Sequence, residues 1–425
     1  MSFVLCLILI LLVPLAIAGL ALINQGLGRS RSAAHTMVAT LCVLAVTSIV
    51  FLLIGFSFTG VAGGQAHVVT LARFPWNWAA AEPLFARGVQ FDGTPVALVL
   101  CFQLFAVGLT AIIPLGTGSD RWRLAPACVS SALLAAITFP LFAHWVWSGG
   151  WLSTIGINFG LGSGFVDVGG SGTIQVIGGL SALSLAWILG PRRGKFSEDR
   201  IAAAIPGHNI VLVLFGCLLA LAGWIALNSA AAMLFTGASI IAIPKILINT
   251  LLGASAACLG TVLTTRLRWG KPDASLIANG WIAGLVAGSA GCVFVSPAAA
   301  IVTGFVAGVG IMYLVEFLEL KLHIDDPSGA IAVHAGAGLW GLLAAGIFAT
   351  IPALTHGGQF IAQLVGIAAL LGFMLPLIHG LNLLVDRFMK QRVDADGDRQ
   401  GMDVRELGAG AYPEFVVHGD EFLPR

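Results

Sequence analysis

The chain has 425 residues, of which 58% are hydrophobic and only 10% charged, and its formal net charge is +1. Soluble domains carry about 25% charged residues, so this composition excludes a soluble enzyme. The near-zero net charge gives no basis for nucleic-acid binding. The seven cysteines form no CxxC or Cys/His spacing, so we expect neither a metal site nor a cofactor.

Apolar stretches of about 20 residues, the length that crosses a bilayer, recur along the chain. They predict about eleven transmembrane helices, near residues 3–24, 37–58, 94–117, 126–147, 172–191, 206–229, 243–265, 273–293, 297–320, 329–351 and 358–386. The first stretch lacks the basic start and cleavage site of a signal peptide, and it is interpreted as span one. We therefore expect an all-α polytopic membrane protein, with a transmembrane domain over residues 1–386 and a polar tail over 387–425.

The distribution of basic residues predicts the orientation. If the N-terminus lies outside, the inner loops and the tail hold 18 of the 21 Lys and Arg residues, and the outer loops hold only Arg73, Arg87 and Lys245. Cytoplasmic loops are enriched in Lys and Arg in this way. The pattern favours an odd number of spans in the cell inner (plasma) membrane, with a cytoplasmic C-terminal tail.

Two patterns recur half a chain apart. Gly19-Leu-Ala-Leu-Ile-Asn24 in span one resembles Gly223-Trp-Ile-Ala-Leu-Asn228 in span six. Asp167 precedes Gln175 by eight residues at span five, and Asp326 precedes His334 by eight residues at span ten. Spans one to five thus match spans six to ten. Because five is odd, the halves would lie in opposite orientation, an inverted five-helix repeat followed by an eleventh helix, with the functional site near the midplane.

Polar side chains within spans are candidate functional groups, because burying them in lipid is costly. Gln175 and His334 are the sharpest pair, since the repeat places them at equivalent depths. An imidazole can donate and accept hydrogen bonds, whereas an amide cannot take up a proton near neutral pH. The alternative interpretation is that both side chains only stabilise helix packing.

The other polar candidates have simpler interpretations. Asp167 and Asp326 each precede a span, where a carboxylate caps free N–H groups. His208 is expected to tie a loop or cap a helix, His144 to lie at the membrane interface, and His379 to make a packing hydrogen bond.

Several longer motifs, in this order and spacing, make the chain resemble the ammonium transporter family (Amt/Mep/Rh), on its Amt branch. They are Gly19–Arg29, Ala143–Trp151, Asp167–Gln175, Pro206–Asn209, Gly270–Pro272, Asn279–Gly291, Asp325–Pro327, Ala332–His334 and Gly401–Tyr412. The resemblance implies an eleven-span homotrimer in the lipid bilayer, with one pore per subunit for ammonium or ammonia, and not an enzyme.

The family binds ammonium in an outer vestibule, removes a proton, and passes ammonia beyond stacked phenylalanines and a pair of histidines. By motif, Trp147 matches the vestibule tryptophan, whose ring face attracts small cations. Phe105 resembles the outer gate phenylalanine, although its motif is one residue short. Asp167 matches the family aspartate, and His334 matches the second pore histidine.

The departures from the family pattern are equally specific. Gln175 replaces the first pore histidine, Leu227 replaces the second gate phenylalanine, and Ala231 replaces the vestibule serine. In the tail, Leu407 and Ala409 stand where the family has histidine and glutamate, which weakens the case for regulation by a PII-type protein.

These observations favour an ammonium/ammonia transport protein with altered conduction. The alternative is a non-conducting ammonium sensor, coupled to or fused with a signalling domain. A neutral-gas channel of the Rh kind fits the motifs less well.

Overall fold

The computed structural model describes residues 2–63, 65–71, 73–351 and 356–412. Within this part of the chain, ten helical segments are long and apolar enough to cross a membrane: Phe3–Leu27, Ser30–Leu53, Pro95–Gly118, Leu124–Phe159, Ser171–Leu189, Ile210–Phe235, Ile240–Trp269, Pro297–Lys321, Ile331–Phe348 and Gly357–Phe388. A shorter apolar helix, Ala274–Ser289, occupies the predicted eighth position. The eleven predicted segments are therefore all helical, and the numbers one to eleven are kept for them below.

Several spans contain breaks. Pro14 divides span one into Phe3–Leu12 and Pro14–Leu27, because proline removes a backbone donor. Spans five and ten each begin with a π-helical turn, Ser171–Val176 and Ile331–Gly336. Such turns widen a helix locally and are frequent at functional sites. Their matching positions follow the predicted repeat.

The contact between spans one and six shows the repeat most directly. A Cβ atom on Gly19 would lie 2.7 Å from the backbone nitrogen of Ala220, and one on Gly223 would lie 2.1 Å from that of Ala16. The repeat pairs Gly19 with Gly223, and the same offset pairs Ala16 with Ala220. Reciprocal contacts of this kind are expected when a two-fold axis relates the two halves of the chain. The two spans therefore cross backbone to backbone, as glycine allows in membranes.

The end of the bundle opposite the basic loops carries structure that the sequence analysis missed. Strands Gln65–Leu71 and Phe74–Ala81 form an antiparallel hairpin. The Gly/Ser-rich segment after span four contains the helix Trp151–Phe159. Trp78 stacks on Trp151 at 6.0 Å between ring centroids, so aromatic packing joins the hairpin to this helix.

The other end, which we call the basic end, is defined by a buried ion network of Arg121, Arg192, Asp120 and Asp325. Arg192 reaches Asp325 through Nε and Nη2, at 2.9 and 3.0 Å, and Asp120 through Nη1 at 3.1 Å. Arg121 Nη1 lies 3.4 Å from Asp325 Oδ2. The network joins the loops after spans three, five and nine.

The neighbouring arginines determine the pKa of the Asp325 carboxyl. Burial alone would raise the pKa of its carboxyl, but the charges of Arg121 and Arg192 and the hydrogen bonds from Arg192 lower that pKa to about 2. An unfolded aspartate titrates near pH 3.9. The stabilisation by Asp325 is therefore complete above about pH 4 and is lost as the pH falls towards 2.

The tail packs against the basic end through its carboxylates. Asp403 accepts hydrogen bonds from the backbone nitrogens of Ala34 and His35, at the start of span two. Glu406 accepts one from the backbone nitrogen of Leu124, at the start of span four. Each carboxylate thus satisfies free N–H groups at a helix N-terminus. Residues 413–425 of the predicted tail lie outside the described residues.

The ion network generates a stability prediction. Replacing Arg192 with Gln leaves Asp120 and Asp325 buried without their main partner, which costs about 3–5 kcal/mol for a buried pair. We expect a clear fall in the thermal unfolding midpoint of the purified protein in detergent. Arg405→Gln, which removes an Arg from a half-exposed pair with Asp394, is the matched control and should cost about 0–1 kcal/mol. Equal midpoints for the two variants would contradict the importance of the network.

Candidate functional site

Asp167 builds the start of span five. Its Oδ2 atom accepts hydrogen bonds from the backbone nitrogens of Gly172 and Thr173, at 3.0 and 2.7 Å, and from the Thr173 hydroxyl at 2.9 Å. The two backbone donors are free N–H groups of a helix start, so the carboxylate both caps the helix and interacts favourably with its dipole. The capping contact expected from the sequence is therefore present.

Asp326 performs the same local task for span ten. Its Oδ2 atom accepts from the backbone nitrogen of Ile331 at 2.7 Å, and its Oδ1 atom accepts from the Thr117 hydroxyl at 2.6 Å. Both aspartates thus cap a π-helical turn through an N–H five residues later. Because each cap fixes the chain eight residues before a polar side chain, the two caps bring Gln175 and His334 to matching positions.

Gln175 and His334 meet in the interior of the bundle. His334 Nδ1 lies 2.7 Å from Gln175 Oε1, and the two residues are 4% exposed or less. An amide oxygen only accepts hydrogen bonds, so with Gln175 Oε1 facing the ring His334 Nδ1 is the donor, and a neutral ring then has its lone pair on Nε2. Gln175 Nε2 has no hydrogen-bond partner among the described residues.

Close backbone packing holds this pair in place. A Cβ atom on Gly179 would lie 2.3 Å from the backbone nitrogen of Ala335, directly after His334. On the other helix of the contact, a Cβ atom on Gly338 would lie 2.8 Å from the Ser171 carbonyl oxygen. Spans five and ten therefore cross in backbone contact next to the pair. The arrangement offers an amide donor and an imidazole acceptor to a small polar molecule. The Gln175 amide does not take up a proton near neutral pH, so it cannot pass a proton to or from His334.

A cavity of about 260 Å³ lies at the end of the bundle opposite the basic end. We call it the vestibule; its lining includes Trp147, Asp167, Phe165, Phe235 and Phe294. The Trp147 indole N–H donates a hydrogen bond of 2.8 Å to the Asp167 backbone carbonyl. Two residues selected from the sequence, Trp147 and Asp167, thus meet in one cavity.

The ring beside Trp147 on span three is that of Phe102, not Phe105. Phe102 meets Trp147 with ring centroids 6.0 Å apart and planes at 72°, whereas Phe105 is a partly buried residue packed against the main core. Three residues turn a helix by about 300°, so Phe105 points about 60° away from Phe102 and lies deeper. The motif around Phe105 is one residue short of the family pattern, and this difference indicated that its ring could be rotated about the helix.

Phe235 is a second residue of this site that the sequence analysis did not select. It stacks on Trp147 with ring centroids 4.5 Å apart and planes at 5°. Leu227 and Ala231, both fully buried, precede it at intervals of four on span six, so the three share one helix face. That regular spacing was the signal that could have identified it.

A second cavity, of about 470 Å³, opens at the basic end. Its polar lining includes Arg192, Lys195, Asn279, Asp325 and Asp326. Since Asp326 caps the helix that carries His334, this cavity adjoins the base of the same span.

Three further histidines, His144, His208 and His379, make structural contacts. His144 is buried against the hairpin and contacts the Thr59 carbonyl and Asn77 Oδ1, both at 3.0 Å, and its place at the membrane interface stays a prediction. The hairpin that covers His144 had no sequence signal. His208 ties the Gly28 carbonyl to Tyr412, and His379 contacts the Ser184 hydroxyl, as expected.

In the described ranges, no group of three or more His, Cys, Asp or Glu side chains is placed to hold a metal ion.

Comparisons with known proteins identify the family of this chain. The family model described as Ammonium Transporter Family matches residues 3–412. Ammonium transporter Amt2 of Archaeoglobus fulgidus is 34% identical over 94% of this chain and 85% of its own length. The ammonium transporter of Bacillus subtilis is 30% identical over 96% of this chain and 97% of its own.

A solved structure described as a sensor Amt protein superposes with a TM-score of 0.86 at 25% identity, covering 95% of this chain and 97% of that one. The fold, the inverted repeat and the near-complete family match lead to one conclusion: this chain is a multi-pass membrane protein that belongs to the ammonium transporter family.

Proposed function

We propose that this protein moves ammonium or ammonia across the membrane with conduction altered at the Gln175–His334 pair. The observation that carries the proposal is the 2.7 Å hydrogen bond between these two side chains. The pair lies inside the bundle, where a polar side chain is retained for function or for packing. Its free amide donor and imidazole acceptor match a small molecule that both accepts and donates hydrogen bonds, as ammonia does.

The proposed route begins at the vestibule. The π faces of aromatic residues there attract a small cation, and the Trp147 side chain is oriented by its hydrogen bond to Asp167. The route continues past Leu227 and Ala231 to the pair, and it leaves through the cavity at the basic end. Neither Leu227 nor Ala231 supplies a hydroxyl or an aromatic ring, so recruitment of the ligand at that depth is weaker than in the family pattern.

Proton movement through the pair is the altered step. An imidazole pair can pass a proton because imidazole titrates near pH 6.5. The Gln175 amide does not titrate in this range, so it accepts the hydrogen bond from His334 and fixes one imidazole tautomer. A neutral ligand could dwell beside the pair, whereas a proton would find no continuous path.

The arrangement in the membrane is part of the proposal. The Lys and Arg distribution places the basic end and the tail in the cytoplasm and the N-terminus outside. Residues 1–386 would form the transmembrane domain, residues 387–425 the cytoplasmic tail, and three copies one homotrimer with a pore in each subunit.

A second candidate function is ammonium sensing without transport. The specific observation in its favour is the close superposition on the structure described as a sensor Amt protein. A sensor needs a ligand site but no continuous proton path, which suits Gln175. Its output would pass to a coupled or fused signalling domain. Leu407 and Ala409 in the tail make a PII-type partner the weaker possibility.

We expect Gln175→His to raise ammonium-dependent current in proteoliposomes, because a titratable imidazole would restore a path for the proton. If Leu227 and Ala231 also limit conduction, only the triple variant Gln175→His, Leu227→Phe, Ala231→Ser will show the gain. The protein without substitution is the reference. No gain from either variant would remove the pair as the limiting element and favour the sensor.

A separate prediction concerns His334, because the proposed route of the ligand passes beside its side chain. His334→Ala removes the only titratable side chain of the pair, so any ammonium-induced current or uptake of the unaltered protein should fall at least tenfold. His379→Ala, which loses a packing hydrogen bond to Ser184, is the matched control and should keep most of the activity. Robust current in His334→Ala would exclude the proposed route.

The two candidate functions differ in transport rather than in binding. We expect isotopically labelled methylammonium to bind to the purified protein in either case and to enter proteoliposomes only if the protein is a transporter. Saturable binding without uptake above that of empty liposomes would establish the sensor.

A further inference from the structure

We propose that Phe235 is an intramolecular lid on Trp147, which competes with the cationic ligand for the face of the indole ring and limits the size of that ligand. The inference rests on the proposed function, because it concerns the ligand of the same vestibule. It adds a specificity-determining residue on span six.

The first observation is the geometry of the stack. The Phe235 and Trp147 rings are nearly parallel, at 5°, with centroids 4.5 Å apart. A cation bound to an aromatic face lies over that face, within about 6 Å of the centroid. No ion fits between two rings in this contact. The Trp147 face under Phe235 is therefore open to a cation only after the phenyl ring has moved.

The second observation identifies which ring moves. Trp147 is held by its indole hydrogen bond to the Asp167 carbonyl and by the edges of Phe102 and Phe139. Both rings end a helix, and each is followed two residues later by a glycine with positive φ and open space around its Cβ position, Gly149 after Trp147 and Gly237 after Phe235. Phe235 meets the ring of Phe102 but has no hydrogen-bonding group, whereas the Trp147 indole is bound to the Asp167 carbonyl. Because moving the phenyl ring breaks no hydrogen bond, Phe235 is the ring that moves.

The third observation is the position of Phe235 along span six. Leu227 stands where the family pattern has a gate phenylalanine, and Phe235 lies eight residues further on the same face. At a rise of 1.5 Å per residue, this distance is about 12 Å. The aromatic ring that span six contributes, that of Phe235, therefore lies at the vestibule and not at the depth of Leu227.

These observations give the lid a chemical consequence. A small cation has to displace Phe235 and so loses the stacking contribution, which corresponds to an about two- to tenfold weaker affinity. A larger quaternary ammonium ion needs more room than the displaced ring leaves. Phe235 would thus favour ammonium and methylammonium over bulkier cations.

The experiment measures binding of labelled methylammonium to the purified full-length protein by equilibrium dialysis, with tetramethylammonium as a competitor. We expect Phe235→Ala to tighten methylammonium binding about two- to tenfold and to make tetramethylammonium an effective competitor. Phe235→Tyr keeps the stacked ring and should behave like the unaltered protein. Leu234→Ala, at the neighbouring position on the helix, is the matched control and should change neither property.

A second readout needs no ligand. Phe235→Ala should increase quenching of tryptophan fluorescence by acrylamide, since it uncovers Trp147. This increase should vanish when Trp147→Phe is present in both proteins.

The outcomes separate the two proposals. Weaker methylammonium binding in Phe235→Ala, or a quenching increase that persists with Trp147→Phe, would overturn the lid. Absence of methylammonium binding in every form would contradict the proposed function, and unchanged quenching in Phe235→Ala would then overturn the lid independently.

Discussion

The capping of spans five and ten by Asp167 and Asp326 is the interaction on which the rest of this structure depends. Each carboxylate satisfies N–H groups at the start of its span; Asp167 is buried, and Asp326 is half-buried at the basic end. Unsatisfied backbone donors are costly in a membrane, so a helix can begin there only with such a partner. Because the caps are equivalent under the inverted repeat, the side chains eight residues later, Gln175 and His334, meet. The repeat thus determines the position of the pair, and the residue types determine its chemistry.

Much of the fold followed from the sequence, because hydrophobic length and the bias of basic loops report directly on the bilayer. All eleven predicted segments are helical. The two glycines that the repeat pairs, Gly19 and Gly223, make reciprocal contacts between spans one and six. The hairpin Gln65–Leu71 and Phe74–Ala81 could not be predicted, since its stability comes from packing on Trp151 and not from alternating apolar residues.

The spacing of the repeat selected Gln175, His334 and Asp167, and the resemblance of a motif selected Trp147; the structure places Gln175 beside His334 and Trp147 beside Asp167. The contacts between aromatic rings depend on rotation about each helix. Phe105 was selected from a motif that is one residue short, and one residue rotates a side chain by about 100° around a helix. The contacts of Phe102 and Phe235 with each other and with Trp147 form only where three spans come together, although the spacing of Phe235 from Leu227 and Ala231 already placed it on their helix face. Sequence spacing therefore predicts depth in the membrane better than it predicts which rings touch.

The central claim is that Gln175 accepts a hydrogen bond from His334 and thereby fixes one imidazole tautomer within the pore. The most direct test is ¹⁵N NMR of histidine-labelled protein in lipid bilayers, with the His334 signals assigned by their loss in His334→Ala. The account predicts a neutral ring protonated at Nδ1, whose Nδ1 signal shifts in Gln175→Leu. A ring protonated at Nε2, or signals unaffected by Gln175→Leu, would contradict it.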